Sequence, residues 1–249
     1  MSDCKPVSIP IDRSCYSIDE TETVVERPYR ELIGSLMYLA IATRPDIAFA
    51  VGFLSRYLDR PTEKHWQAAN KVLRYLKGTM KYGLQYSSNP GEEYRFFSDA
   101  DFAADPLSRK SVSGQIILGN GGALLWSSSR QVATSLSSTE SELMAACEVS
   151  KSSVWFRNFL NELGYPIVPT IQIDNLSTIR LVKDDQFHKR TKHIDVRNFF
   201  IRELLESGEI AVAHVPTDKQ LADILTKPLA RPQFERLRNQ LMKPRISDQ

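Results

Sequence analysis

One break divides the sequence into two regimes. Ser87-Ser88-Asn89-Pro90-Gly91 sets four turn-forming residue types side by side, and such a cluster between patterned segments reads as a loop. The hydrophobic period differs on its two sides. Ahead of it, from Tyr29 to about Tyr86, apolar residues such as Leu32, Leu36 and Leu39 recur every three to four positions. That is the repeat of helices with one buried stripe. A second helix opens at Pro45-Asp46 and runs to Leu58. A third follows Arg60-Pro61-Thr62, carries Trp66, Ala69, Leu73 and Leu76 on one side, and stops at Gly78, a good terminator.

Beyond the break the spacing shortens to that of strands. Segments 94–98, 114–118 and 123–127 read as strands, the last two joined by Gly119-Asn120-Gly121-Gly122, a strong hairpin signal. A long helix over 139–163 ends at Gly164. A fourth strand (170–174), helices over 177–182 and 195–206, a fifth strand (209–214) and helices over 219–225 and 232–242 complete the chain. A meander followed by alternating units predicts an α/β class, a mixed five-stranded sheet with helices against it. The predicted organisation is an irregular lead-in (1–28), a helical subdomain (29–88), an α/β domain (92–230) and a C-terminal helix and tail (231–249).

Composition narrows the function classes. The chain has 249 residues with formal net charge +2, so any nucleic-acid contact must come from local basic patches. Three cysteines, with no CxxC pair, argue against a disulfide framework or zinc site and fit a reducing compartment. No 18-residue apolar run and no leader-like apolar segment occur. The expectation is no membrane partner and an intracellular location, cytoplasm or nucleus.

Four carboxylates occupy positions from which strands and helices present functional groups. Asp99 follows the first strand of the sheet, Glu142 lies in the first turns of the long helix, Asp174 ends the fourth strand, and Asp223 lies in the late helix. If the first and fourth strands are neighbours, Asp99 and Asp174 emerge together at one sheet edge. Clustered carboxylates repel unless cations neutralise them. Mg2+ suits such oxygen donors, and two ions about 3.5–4 Å apart can clamp both the attacking water and the leaving oxygen of a phosphodiester. Each residue also has a plain structural reading. Asp99, like Asp101 and Asp105, fits a turn cap. Glu142 fits a capping box with Thr139. Asp174-Asn175 fits an Asx-turn, and Asp223 a solvated helix position.

Several motifs resemble the ribonuclease H region of copia-type retrotransposon Pol polyproteins. They are Phe97-Ser98-Asp99-Ala100-Asp101-Phe102-Ala103, Arg109-Lys110-Ser111-Val112-Ser113-Gly114, Ser137-Ser138-Thr139-Glu140-Ser141-Glu142, Lys192-His193-Ile194-Asp195, and the run from Lys219 to Lys227. Tyr29-Arg30-Glu31-Leu32-Ile33-Gly34, Thr43-Arg44-Pro45-Asp46-Ile47 and Val72-Leu73-Arg74-Tyr75-Leu76-Lys77-Gly78-Thr79 are similar to the segment that follows the reverse-transcriptase palm in that family. The resemblance implies the ribonuclease H fold and cleavage of RNA in an RNA–DNA hybrid. It implies that Asp99, Glu142, Asp174 and Asp223 are the catalytic metal ligands, with Glu140 as fallback for the helix, and two Mg2+ ions for which Mn2+ substitutes. His214 would assist product release; a partly buried structural histidine is the alternative. The missing palm is an implied partner. No Tyr-x-Asp-Asp motif occurs, which argues against reverse transcription by this chain alone.

Arg109, Lys110, Lys189, Arg190, Lys192 and Lys227 are the basic groups expected to hold hybrid phosphates, with a solvated loop as the ordinary explanation of the run 188–193. Trp126 and Trp155 are expected in the core. Two other classes stay open. An integrase-like Asp-Asp-Glu nuclease shares the fold, but the order Asp, Glu, Asp, Asp suits it less. A non-catalytic element remnant could act on a host protein as a secreted effector of a plant pathogen. Arg74-Tyr75-Leu76-Lys77 with Glu92-Glu93-Tyr94-Arg95 loosely resembles a degenerate RxLR-EER pattern.

Overall fold

The computed structural model describes residues 3–17, 23–87, 93–183 and 192–245, with the side chains of 192–195 excepted. The break at 88–91 thus lies outside the described residues. Ahead of it stand helices α1 (Tyr29–Ala42), α2 (Ala48–Leu54) and α3 (Glu63–Gly78). The helix expected over 45–58 comes in three pieces, because α2 is flanked by 3-10 turns at Pro45–Ile47 and Ser55–Tyr57. The Ser55 hydroxyl donates to the Gly52 carbonyl at 2.9 Å, a local bond that competes with the α-helical ladder. At the start of α3, His65 Nδ1 accepts from the Thr62 backbone N–H at 3.0 Å, filling the role a glutamate has in a capping box. A buried Arg44 binds Asp46 through two nitrogens at 2.9 and 2.8 Å and Thr79 Oγ1 at 2.6 Å. It fastens the α1–α2 turn to the end of α3 with charge-assisted bonds.

A two-residue strand β1 (Tyr82–Gly83) precedes the main sheet, formed by β2 (Arg95–Asp101), β3 (Val112–Gly119), β4 (Gly122–Arg130), β5 (Thr170–Ile173) and β6 (Ala211–His214). The strand order is β4-β3-β2-β5-β6. β2, β3 and β4 run antiparallel, while β5 and β6 run parallel to β2. This is the ribonuclease H-like arrangement that the resemblance implies, with the first and fourth sheet strands adjacent. Asn120 and Gly121 take positive φ of 52° and 86° between the paired Gly119 and Gly122, the conformation of a type I′ hairpin turn.

Helices α4 (Ser138–Glu162), α5 (Leu176–Lys183) and α6 (Lys192–Glu206) share a core with one sheet face. The other face shares its core with α1–α3 and with α7 (Arg231–Leu241). Alternation along the strands feeds both: Phe96 and Ile117 enter the first core, Phe97, Ile116 and Leu118 the second. Past α7, β7 (Lys243–Pro244) pairs with β1. The lead-in forms a 3-10 turn at Arg13–Ser17 and lies along α3, where Arg74 and Lys77 donate to the carbonyls of Lys5 and Cys4 at 2.7 and 2.8 Å.

Two further expectations change. β2 runs on through Asp101, so Asp99 lies within the strand; its ladder with β3 continues through Asp99↔Gly114 and Asp101↔Val112. The helix expected over 219–225 is two 3-10 turns, Thr217–Lys219 and Leu221–Leu225. Gln220 between them is extended, donating its side-chain amide to the Ser98 carbonyl at 2.8 Å and accepting from the Ala222 N–H at 3.2 Å. Among the described residues, no helix is long and apolar enough to cross a membrane.

Candidate active site

Four elements deliver carboxylates to one end of the sheet. β2 and β5 are parallel neighbours with Phe96↔Ile171 and Phe97↔Gln172 in register, and continuing that register brings Asp99 level with Asp174. Asp174 is spared the turn role: Asn175 Oδ1 accepts from the Thr178 N–H at 3.0 Å and caps α5. Glu142 is likewise released from capping. Ser137 caps α4, accepting from the Glu140 N–H at 3.1 Å, and Glu140 Oε2 accepts from the Leu136 N–H at 2.7 Å. The capping pair is thus Ser137–Glu140 and not Thr139–Glu142, and the fallback Glu140 is occupied. Glu142, 6% exposed, lies within the first turns of the helix.

Carboxylate oxygens of Asp99, Glu142 and Asp174 all lie within 4.8 Å of one another. Burial, reinforced by Asp99 and Asp174, pushes the Glu142 carboxyl up to about 9. Burial and Asp99 also raise Asp174. Glu142 Oε2 is buried and has no hydrogen-bond partner among the described residues. A dry oxygen without a donor, beside two further carboxylates, is costly by itself. Hard oxygen donors so grouped fit a divalent cation of the Mg2+ or Mn2+ type.

Asp223, on the Leu221–Leu225 turn, is buried beside Asp99 but is not one of the three carboxylates that converge. Burial and Asp99 push it up to about 7, while Lys227 opposes the shift. Gln233 donates to Asp223 Oδ2 at 3.0 Å, and the Thr226 hydroxyl donates to Asp99 Oδ2. The turn reaches β3 closely enough that a Cβ on Gly114 would lie 2.7 Å from Thr226 Cγ2 and 2.9 Å from the Ala222 carbonyl oxygen. Only glycine admits this approach without displacement.

Among the basic groups, Lys227 lies within the carboxylate site. Its Nζ lies 2.7 Å from Asp223 Oδ1 and 3.9 Å from Asp99 Oδ2, so its charge is engaged by the carboxylates it was expected to lie beside. Burial alone would lower its pKa; Asp99 and Asp223 together raise it above the usual lysine range. Arg109 and Lys110 lie in the loop that leaves β2, with Arg109 exposed at φ +52°. Asp105 ties this loop down. It accepts from the N–H groups of Leu107 and Ser108 and binds Arg56 at 2.7 Å and Arg130 at 3.2 Å. Lys189 and Arg190 lie outside the described residues; Lys192 opens α6, and its side chain is not among those described. His214 is exposed at the end of β6, in register with Ile173, and is therefore not a buried structural residue. Trp126 is half-buried and donates Nε1–H to the Ala40 carbonyl at 2.8 Å. Trp155 is exposed, contrary to expectation, because it lies on the outer face of α4.

Comparison with known proteins assigns the family. The chain is 40% identical over 245 residues to the retrovirus-related Pol polyprotein from transposon TNT 1-94 of Nicotiana tabacum, covering 94% of this chain and 18% of that protein. The chain belongs to the Pol polyproteins of copia-type transposons. It spans less than a fifth of the length of such a Pol polyprotein. It is also 45% identical over 128 residues to the secreted RxLR effector protein 161 of Plasmopara viticola, covering 51% of this chain and 90% of that protein. A ribonuclease H1 isolated from compost is similar in structure, with 17% identity and a TM-score of 0.43 over 54% of this chain and 92% of that one. No family model matches.

In this Pol segment, sequence reasoning missed Asp101, Thr226 and Gln233. Asp101 is half-buried two residues beyond Asp99, and burial raises its pKa with Asp99 adding to the effect. The period-2 spacing of Asp99 and Asp101 was the available signal. Thr226 and Lys227 stand three and four residues after Asp223, the spacing at which side chains on one helical face meet, and that was the available signal.

Proposed function

We propose that this Pol segment is a divalent-cation-dependent ribonuclease H that hydrolyses the RNA strand of RNA–DNA hybrids. One observation carries the reading: oxygens of Asp99, Glu142 and Asp174 converge within 4.8 Å, and one Glu142 oxygen there is buried without a donor. Asp99, Glu142, Asp174 and Asp223 would hold two Mg2+ or Mn2+ ions, which supply Lewis-acid activation of water and charge neutralisation at a phosphodiester. The chain's own groups do the rest. Thr226 and Lys227 fix Asp99 and Asp223 in place. Arg109 and Lys110, on the loop that Asp105 anchors, would bind a backbone phosphate. The RNA strand would be recognised through helix shape and 2′-hydroxyls.

Cleavage of a labelled hybrid, with and without Mg2+, tests this. Asp99→Asn and Asp174→Asn should each lower cleavage by at least about 100-fold with an unchanged circular dichroism spectrum. Wild-type rates in either folded variant would remove the assignment.

A second reading, an effector acting in host cells, is favoured by the Plasmopara viticola relative. The segment Arg74–Lys77 that motivates it lies inside α3, with Tyr75 buried and Arg74 and Lys77 bonded to the lead-in. Those residues have structural work there, so the nuclease reading is preferred. Recovery of the protein from host cells would support the effector.

A further inference from the structure

α4 has 25 residues and is about 37 Å long at 1.5 Å per residue. Its first half is buried and carries Glu142. Its second half exposes Trp155 at 59%, Phe159 at 45% and Leu163, just past its end, at 55%. The Trp155 and Phe159 rings stack on each other in the open, with centroids 5.8 Å apart and planes 7° from parallel. Residues turn about 100° per position on a helix, so Glu148, Lys151, Trp155, Phe159, Glu162 and Leu163 fall within one arc of about 120°. All six are exposed, while Ser153, Phe156 and Leu160 face the core. A contiguous stripe of this kind marks a docking surface, where scattered single residues would not. Trp is the residue type that most often anchors such surfaces.

The order of charges along the stripe selects the occupant. Lys151 lies four residues before Trp155, and Glu162 three residues after Phe159. Place a twofold axis at the midpoint of the Trp155–Phe159 pair, perpendicular to the helix. Trp155 then meets the partner subunit's Phe159, and Lys151 comes level with the partner subunit's Glu162 to within one residue. A parallel pairing would instead oppose Lys151 to itself and Glu162 to itself. We propose that the C-terminal half of α4 is a self-association surface through which two copies of this chain pair antiparallel. The aromatic pair forms the centre and the Lys151–Glu162 contacts form the rim. One helical stripe falls at the small end of specific interfaces, so the dimer is a dissociating one. Trp155 is thirteen residues from Glu142, about 20 Å along the axis, so the acidic cluster remains open in the pair. The proposal is independent of the nuclease reading.

Sedimentation equilibrium of the whole chain, over roughly two decades of concentration, tests it. The wild type should show a reversible monomer–dimer equilibrium. Trp155→Ser should weaken the dimer at least about tenfold, with an unchanged melting temperature because the ring is exposed. Lys151→Glu and Glu162→Lys should each weaken it about tenfold by opposing like charges, and the double exchange should restore it to within about threefold. A wild type that is monomeric throughout overturns the proposal. So does a double exchange that stays as weak as the single ones.

Discussion

Glu142 sets burial and like charge against each other most directly. Burial and the neighbouring carboxylates push its carboxyl up to about 9 from an ordinary 4.5, and burial with Asp99 pushes Asp223 up to about 7 from 3.8. Both shifts are upward, so between the ordinary and raised values the folded state holds protons that the unfolded chain has released. Stability from these groups is therefore present below the ordinary value and lost as pH rises through the raised one. In chelator, the melting temperature should fall from about pH 5 to about pH 9, each group contributing up to about 1.4 kcal/mol per pH unit within its own window. Glu142→Gln should flatten that slope and stabilise the metal-free protein at pH 8, and added Mn2+ should restore the wild type and not the variant. Melting curves across that range check this; a pH-independent wild type would refute the electrostatic account. Glu142 and Asp174 were legible because they stand near the start of α4 and just past the end of β5, whereas Asp99 lies inside β2 and Asp223 in mid-turn. Lys227 was expected there as a phosphate-binding group; its pairing with Asp223 was not read, although the four-residue spacing offered it.

At the level of elements, α4 offers a test of register. Ser137 holds the cap and Thr139 does not. Ser137→Ala should cost about 1 kcal/mol in denaturant unfolding, and Thr139→Ala less than about 0.5 kcal/mol. The reverse order would return Glu142 to the cap. Gly114→Ala should push the Leu221–Leu225 turn off β3, costing about 1–3 kcal/mol, and should reduce hybrid cleavage by more than the fraction unfolded accounts for, since Asp223 moves with the turn. Elements punctuated by glycine or proline were legible, among them the Asn120-Gly121 hairpin, α3 up to Gly78 and α4 up to Gly164. The two 3-10 turns at 217–225 were not. Over so few residues three- and four-residue spacings coincide, and the contact that breaks the helix joins Gln220 to Ser98, 122 residues away.

For the whole molecule, the change of hydrophobic period at the break suggests two separable bodies, yet the apolar surface is shared. Phe97, Val112, Ile116 and Leu118 of the sheet lie in one core with Leu36, Phe53 and Tyr75 of the helices. Tyr75 meets Phe234 of α7 edge-on at 5.6 Å. Trp126 on β4 reaches the Ala40 carbonyl of α1, and the half-buried Arg56 beside α2 is neutralised by Asp105 in the loop after β2. Period reports which face of an element is apolar; it carries no information on which element covers that face. Removing residues 1–87 would strip one face of the sheet of the helices that share its core, and would leave Arg130 as the charged partner of Asp105. The full chain should therefore unfold in one transition, with tryptophan fluorescence and far-ultraviolet circular dichroism coincident in denaturant. A chain of residues 93–245 should show no cooperative transition at all. If that shorter chain melts cooperatively, or the two probes separate in the full one, the helical segment is an attached module, and the site is held by the sheet alone.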